Sequence, residues 1–227
     1  MLKIDQPFWK RVASYLVEWH IESAPSDINP HLYVSLKNGR YQLSTANSVY
    51  SFSDLYDNFK ITFQKIKLPP EGSHILILGF GLGSIPILLE KIHQKKYYYT
   101  AIEIDENVLY LANKYVIHQL QSSINLICTD ALIYVQQCKE TFDFICVDLF
   151  LDDSTPKVFR SFEFLKSLRP LLTPQGNLCY NCLADTKEDI LATQSFYNNE
   201  FLNAFPLGTT ISTRGNRVLI NKKNALL

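Results

Sequence analysis

The stretch that most constrains this chain is an apolar run that ends in three alternating glycines, residues 74–84 (HILILGFGLGS). A helical pattern follows it, with one apolar face formed by Ile85, Leu88, Leu89 and Ile92. A continuously apolar run is typical of a strand that is buried on both faces of a parallel sheet. Because glycine allows a tight turn and a close approach to the backbone, this loop is typical of a nucleoside-binding turn.

The chain beyond this loop alternates strands with amphipathic helices. We predict strands at 74–78, 97–104, 124–128, 142–149 and 177–183, and an antiparallel pair at 206–212 and 217–220. Apolar strands that are separated by helices predict a parallel sheet covered on both faces. The expected fold class is α/β, a doubly wound and mostly parallel seven-stranded sheet with an antiparallel C-terminal hairpin.

The first 50 residues have a different pattern. Asn38-Gly39 lies between two short alternating runs and predicts a β-hairpin. Residues 8–21 fit both a helix face and an alternating strand, so both alternatives stay open. A helix is predicted at 53–67. We expect a small N-terminal β element at 1–50 and an α/β domain at 51–227.

Composition narrows the range of partners. Lys+Arg and Asp+Glu are both 22, and the pI is near 6.9, so no large field attracts nucleic acid or an anionic membrane. The apolar runs are shorter than the ~20 residues of a membrane span, and the N-terminus lacks a signal-peptide pattern. We expect a cytoplasmic protein with no nucleic-acid or membrane partner. The histidines form no ligand pair and the cysteines fall mostly in strands, so no metal is expected.

Polar groups follow the predicted strands at their carboxyl ends, where open α/β sheets bind ligands. The loop supplies Gly79, Gly81 and Gly83 for close backbone approach to a cofactor. Glu103 and Ile104 end the next strand about 20 residues later, where a carboxylate can accept both hydroxyls of a ribose. We therefore predict that these residues bind the nucleoside.

Two more acids follow later strands. Asp130 can accept from an adenine amino group, or it can cap the next helix. Asp148 follows a strand too apolar to lie at a sheet edge, which favours a functional acid. In this order, the signals resemble the class I S-adenosylmethionine (AdoMet) dependent methyltransferases, with their Gly-rich loop, ribose-binding acid, adenine-side Asp and antiparallel final strand.

Three segments extend the resemblance to the spermidine synthase (polyamine aminopropyltransferase) family, from about residue 31 onward. Residues 36–42 (LKNGRYQ) resemble the family's Leu-Asp-Gly-x-x-Gln, and 142–148 (FDFICVD) resemble its Tyr-Asp-x-Ile-x-x-Asp. Residues 44–50 occupy the place of its Thr-x-x-Asp-Glu-x-x-Tyr segment. The resemblance implies an AdoMet-methyltransferase-like Rossmann domain at 51–227 and a homodimer joined by the N-terminal region.

The resemblance also implies roles for single residues. Gln42 and Tyr50 would line the cofactor cleft, and Glu103 would bind the ribose. Asp130 and Ala131 would lie at the adenine, and Asp148 would take the place of the catalytic base. The implied cofactor is AdoMet or decarboxylated AdoMet.

The Gly-rich loop departs from the family pattern, because Phe80 and Leu82 replace a glycine and an acid. The family's acid can pair with the ammonium of decarboxylated AdoMet, but it would repel the carboxylate that intact AdoMet carries. The loop as written therefore favours AdoMet over its decarboxylated form.

The amine site departs as well. Its acidic pair is replaced around Asn47 and Ser48, and Leu151 stands where the family has a second Asp, although Asp152 and Asp153 lie beside it. Because polyamine selection takes several carboxylates, these changes favour another small-molecule acceptor.

We therefore predict an AdoMet-binding transferase that acts on a small-molecule acceptor, more a methyltransferase than an aminopropyltransferase, with Asp148 as the base. The alternative is a polyamine aminopropyltransferase whose amine site is rebuilt from Asp148 with Asp152 and Asp153. A third alternative is a non-catalytic relative that keeps the fold as a binding module.

Overall fold

A computed structural model describes residues 6–29, 31–45, 48–151 and 154–227 of the chain. Two β-sheets organise these residues, a four-stranded antiparallel sheet near the N-terminus and a seven-stranded mixed sheet after it. The first sheet ends at Ser51.

The N-terminal sheet follows a short helix, α1 (Phe8–Ala13). Its strands are β1 (Trp19–Ala24), β2 (Leu32–Lys37), β3 (Arg40–Ser44) and β4 (Val49–Ser51), paired in that order. Residues 8–21 therefore contain a helix followed by a strand, because the two apolar patterns are used one after the other. The β2–β3 turn has positive φ at both Asn38 (49°) and Gly39 (72°), as the Asn-Gly signal predicts.

The second sheet contains the Gly-rich loop. Its strands are β5 (His74–Leu78), β6 (Tyr98–Glu103), β7 (Ser123–Cys128), β8 (Phe142–Val147), β9 (Leu172–Leu183), β10 (Thr209–Ser212) and β11 (Asn216–Ile220). The order is β10-β11-β9-β8-β5-β6-β7. Strands β9, β8, β5, β6 and β7 run parallel, and β11 and β10 are antiparallel. The predicted fold class is confirmed.

Helices cover both faces of this sheet. They are α2 (Asp57–Phe63), α3 (Ser84–Lys91), α4 (Glu106–Tyr115), α5 (Ala131–Gln137), α6 (Phe162–Leu168) and α7 (Lys187–Phe196), the last continued by a π-helical turn at Tyr197–Phe201. Helices α2, α3 and α4 pack in one core cluster with the buried face of the N-terminal sheet, and α5, α6 and α7 pack in the other. Cys179 and Cys182 lie in different clusters, as their spacing along a strand requires.

Two elements differ from the sequence prediction. The helix expected at 53–67 is a 3₁₀ turn at Ser53–Leu55 followed by the shorter α2, because the backbone turns out of helical geometry at Tyr56 (ψ 88°). Strand β9 begins at Leu172, well before the strand predicted at 177–183. Its first residues bulge, since Phe142 pairs with Leu172 but Phe144 pairs with Asn177. In the described part of the chain, no helix is long and apolar enough to cross a membrane.

Candidate functional site

A cavity of about 610 Å³ lies at the carboxyl ends of the parallel strands. Strand β5 is the topological switch point, because its neighbours β6 and β8 lie on opposite sides of it. The sequence-predicted residues that line the cavity are Tyr50, Gly79, Gly81, Glu103, Ile104, Asp130, Ala131 and Asp148. The sheet therefore brings together groups that are up to about a hundred residues apart in the sequence.

The Gly-rich loop brings the backbone of β5 against the end of β8. Gly79 has φ +88°, and a Cβ atom there would lie 2.2 Å from the carbonyl oxygen of Asp148. Glycine is therefore required both by conformation and by space. Gly83 (φ +78°) precedes α3 and does not line the cavity, and a Cβ atom there would lie 2.9 Å from the Phe80 ring.

The two replaced loop residues face the core. Leu82 is only 1% exposed, and both Leu82 and Phe80 belong to the cluster that packs below the loop. Neither side chain lines the cavity. The side chain at position 82 is therefore buried away from the cavity, and its lack of charge carries no information about the cofactor's carboxylate.

Glu103 holds the loop in place. Its Oε2 accepts from the backbone N–H groups of Phe80 and Gly81, both at 3.1 Å, and its Oε1 accepts from those of Ile104 (3.0 Å) and Asp105 (3.2 Å). Burial raises the pKa of the carboxyl group, although these amide donors oppose the rise. The orientation of Glu103 is thus fixed before any ligand binds.

Asp130 has the helix-capping role that the sequence allowed, and it also lines the cavity. Its Oδ1 accepts from the backbone N–H groups of Leu132 (2.6 Å) and Ile133 (3.3 Å) and so caps α5. Its Oδ2 has no hydrogen-bond partner among the described residues, and Asp130 lines the cavity. A helix cap therefore also offers a free acceptor to a ligand.

Asp148 lines the cavity directly after the end of β8. Tyr56 donates its hydroxyl to both carboxylate oxygens, and Asn181 donates its side-chain N–H to Oδ1 at 2.9 Å. Burial raises the pKa of Asp148 to about 7, because no basic side chain pairs with it among the described residues and the two donors offset only part of the desolvation. A carboxyl group with this pKa can accept a proton near neutral pH.

Other predicted residues are not brought to the cavity. Gln42 is buried, does not line the cavity, and directs its side-chain N–H toward Glu18 (3.4 Å to Oε1). The predicted substrate residues Asp152 and Asp153 lie outside the described residues.

The sequence analysis did not identify several residues that line the cavity: Asp27, Ile28, Asn29, Tyr56, Asp185 and Asn216. Asn181, the donor to Asp148, was missed as well. A buried polar residue in the apolar strand β9 is the one local signal that could have identified Asn181. Tyr56 and Asn29 carry no such signal, because their positions depend on tertiary contacts.

Comparisons with known proteins agree with this architecture. A polyamine aminopropyltransferase from Vibrio vulnificus is 27% identical over 172 residues, which cover 74% of this chain and 56% of that relative. One from Saccharolobus islandicus is 31% identical over 122 residues, covering 50% of this chain and 40% of that relative. The chain thus spans about half the length of the curated relatives that it matches. The crystal structure of spermidine synthase from Thermotoga maritima has a TM-score of 0.68 at 19% identity, covering 89% of this chain and 72% of that one, and shows a shared fold.

The family model for the spermine/spermidine synthase domain matches residues 61–220. The sequence prediction of a small-molecule methyltransferase as the main function is therefore wrong, since the family and its curated relatives support the aminopropyltransferase alternative. The prediction relied on Leu82 and on the replaced amine-site acids. The side chain of Leu82 is buried away from the cavity, whereas Ser48 and Leu151 do line it. The expectation of a transferase agrees with the family. The chain belongs to the spermine/spermidine synthase family.

Proposed function

We propose that this protein transfers an aminopropyl group from decarboxylated AdoMet to a small amine. The observation that carries the proposal is the charge of the cavity. Its described lining contains five carboxyl groups and no lysine, arginine or histidine; the five are Asp27, Glu103, Asp130, Asp148 and Asp185. Such a lining favours cationic ligands and disfavours anionic ones.

The two candidate cofactors differ in one charged group, the carboxylate, and an acidic lining binds them differently for this reason. Decarboxylated AdoMet carries a sulfonium and an ammonium group and no carboxylate. Intact AdoMet adds a carboxylate, which would lie among acids without a basic partner in the described lining. The electrostatics therefore support the decarboxylated cofactor.

The nucleoside is proposed to bind over the ends of β5, β6 and β7. Glu103 would accept the ribose hydroxyls from an orientation fixed by four backbone amides. The free Oδ2 of Asp130 would accept from the adenine amino group, beside Ala131 and Ile104. The close backbone approach at Gly79 and Gly81 would leave room for the sulfonium next to Asp148.

The transfer step needs little from the protein beyond alignment and one proton acceptor. The acceptor's amine nitrogen, as the free base, attacks the propyl carbon that is bonded to the sulfonium. A C–N bond forms, the C–S bond breaks, and its electron pair returns to sulfur to give neutral 5′-methylthioadenosine. Asp148 takes the proton that the amine nitrogen loses and passes it to solvent. Tyr56 and Asn181 orient Asp148 without neutralising its charge.

The second charge of a diamine acceptor is proposed to be held by Asp152 and Asp153, which stand next to Leu151 in the sequence. Opposite charges at fixed separation give the specificity that a polyamine site needs. Replacing both acids by Asn is expected to raise KM for 1,4-diaminobutane and to leave KM for the cofactor unchanged. An unchanged KM for the diamine would remove these residues from the acceptor site.

The test of the function is the release of 5′-methylthioadenosine from decarboxylated AdoMet, followed by mass spectrometry with and without 1,4-diaminobutane. We expect amine-dependent release, and a loss of about 10²–10⁴-fold in the Asp148→Asn variant. Asp143→Asn is the matched control, because Asp143 lies on the same strand and accepts from the backbone of His74 instead (3.0 Å). Methyl transfer from AdoMet would contradict the proposal. Cofactor binding without turnover would favour the non-catalytic alternative.

We further propose that the protein is a homodimer and lies in the cytoplasm. Helix α1 and the residues after it expose large apolar side chains, including Phe8, Trp9 and Leu16, which supports subunit contact through the N-terminal region. Light scattering on the purified protein, with Leu16→Glu as the comparison, tests the dimer. Cell fractionation tests the location.

A further inference from the structure

The segment between β1 and β2 forms one wall of the cavity. Three consecutive residues of this segment, Asp27, Ile28 and Asn29, line the cavity, and Ser26 precedes them. Asp105 does not line the cavity. We propose that it is the positioning residue that holds this wall segment (26–29) next to the part of the cavity where the nucleoside would bind. The proposal rests on the nucleoside part of the proposed function and not on the group that is transferred.

Asp105 uses its two carboxylate oxygens for two different purposes. Oδ1 accepts from the backbone N–H groups of Asn107 (2.9 Å) and Val108 (3.4 Å), and so caps α4. Oδ2 accepts from the hydroxyl of Ser26 and from the side-chain N–H of Asn29 (2.7 Å). The side chain is 2% exposed and makes no ion pair among the described residues. A buried carboxylate of this kind depends on all of its hydrogen-bond donors.

Ser26 connects Asp105 to the backbone of the wall segment through hydrogen bonds. While it donates to Asp105, its Oγ accepts from the backbone N–H groups of Ile28 (3.0 Å) and Asn29 (2.8 Å). A hydroxyl can donate once and accept twice, so all three contacts can exist together. The turn that presents the wall residues is therefore built on a serine that Asp105 fixes.

Asn29 extends the anchor to the N-terminal sheet. Its side-chain oxygen accepts from the hydroxyl of Tyr50 at 2.6 Å, and Tyr50 on β4 also lines the cavity. On its other side, the backbone N–H of Asp105 donates to Glu103, the acid that orients the Gly-rich loop. One buried residue thus sets the distance between the wall segment and the loop on which the nucleoside would lie.

The expected benefit is preorganisation of the nucleoside site. A loose wall segment would have to be ordered each time the ligand binds, and this ordering would weaken binding. A wall that is held before binding avoids the loss. Asp105 therefore acts on affinity for the nucleoside, and the proton transfer at Asp148 does not depend on it.

The chain offers a matched control, because a second contact joins the same two parts of the fold. Glu22 on β1 pairs with Lys114 on α4 at 2.7 Å and accepts from Tyr115, and none of the three lines the cavity. Glu22→Gln therefore weakens the docking of β1 on α4 without changing the wall segment's own anchor.

The experiment measures the Kd of 5′-methylthioadenosine by calorimetry for the full chain and for the variants Asp105→Asn and Glu22→Gln. Asparagine is nearly isosteric and also caps helices well, so α4 keeps its cap, while an N–H group replaces the acceptor Oδ2. We expect Asp105→Asn to raise Kd about tenfold or more, and Glu22→Gln to raise it less than about threefold. At saturating cofactor, kcat should stay within about threefold of the wild type in both.

Hydrogen exchange supplies a readout that needs no activity. In Asp105→Asn the amides of Ile28 and Asn29 should exchange faster, while those of β5 should not change. An unchanged Kd in Asp105→Asn, or an equal rise in Glu22→Gln, would overturn the proposal, as would a wild-type protein that does not bind the nucleoside. If the wild type binds 5′-methylthioadenosine but transfers no aminopropyl group, the proposed function fails and the role of Asp105 stands.

Discussion

Tyr56 donates its hydroxyl to both oxygens of Asp148, at 3.2 Å to Oδ1 and 3.0 Å to Oδ2. The tyrosine is buried at the start of α2, and burial beside a carboxylate raises its own pKa well above the ordinary value, so it stays a donor throughout the working pH range. A neutral donor orients the carboxylate and leaves its negative charge available to the proposed amine acceptor. The proposed catalytic base therefore depends on a residue from outside the parallel sheet.

Removal of this hydroxyl in Tyr56→Phe should lower kcat/KM about 10-fold to 100-fold, since a hydrogen bond to a charged group contributes about 1.5–3 kcal/mol. The donor lowers the pKa of Asp148, so its loss should shift the acidic limb of the pH profile to higher pH. Steady-state rates measured across the pH range test both effects.

The control for this variant is Tyr97→Phe. Tyr97 donates to the carbonyl oxygen of Pro69 (2.9 Å), near the amino ends of the strands. Its loss should lower the melting temperature without moving the pH profile. An unshifted profile in Tyr56→Phe would mean that the tyrosine only packs against Asp148.

The raised pKa of Asp148 should make stability depend on pH. The ordinary value is 3.8 and the folded value is about 7, so between them the folded state binds more protons than the unfolded state. The free energy of unfolding should therefore fall as pH rises through this window. Relative to Asp148→Asn, the wild type should lose about 2–3 kcal/mol between pH 5 and pH 8. Urea unfolding of both proteins at the two pH values measures this, and parallel pH dependence would contradict it.

The fold could be predicted because its signals are local. Strand β5 was predicted with its observed bounds, and the Asn38-Gly39 turn has the backbone conformation that its residues demand. The carboxyl ends of parallel strands meet at one edge, so Glu103 and Asp148 could be assigned to one cavity from their positions alone.

The rest of the site depends on contacts between distant segments. Tyr56 and Asp148 are 92 residues apart, and Asn29 and Asp105 are 76 residues apart. Tyr56 and Asn29 were not assigned to the site, whereas Leu82 was assigned to it wrongly. The sequence places Leu82 in a predicted ligand-binding loop, but the backbone turns its side chain into the core. Which way a loop side chain points is decided by tertiary packing, and the functional prediction that relied on this direction was wrong.

Gly79→Ala should disrupt the site from the backbone. The added Cβ would lie 2.2 Å from the carbonyl oxygen of Asp148, at a φ of +88° that also strains an L-residue. We expect a destabilisation of about 2–4 kcal/mol and a loss of nucleoside binding. Gly72→Ala separates the two causes, because Gly72 has a similar φ of +82° but nothing within 4 Å of the added atom. Chemical denaturation should show a loss of about 1 kcal/mol for this control, and equal losses in both variants would exclude the steric cause.

Glu103→Gln tests whether Glu103 holds the Gly-rich loop in place when no ligand is bound. The carboxylate accepts from two amides at each oxygen, and a glutamine would turn an N–H group toward one of these pairs. If its amide nitrogen faces Phe80 and Gly81, the loop should detach from the end of β6. We expect a destabilisation of about 1–3 kcal/mol without ligand and faster hydrogen exchange at both loop amides. Glu106→Gln, an exposed acid in the first turn of α4, is the control for the loss of one charge. The opposite result would be an unchanged free energy of unfolding, unchanged hydrogen-exchange protection of the loop amides, and a rise only in the Kd of 5′-methylthioadenosine. In that case Glu103 acts on the ribose alone, and the loop is held by the glycine backbone itself.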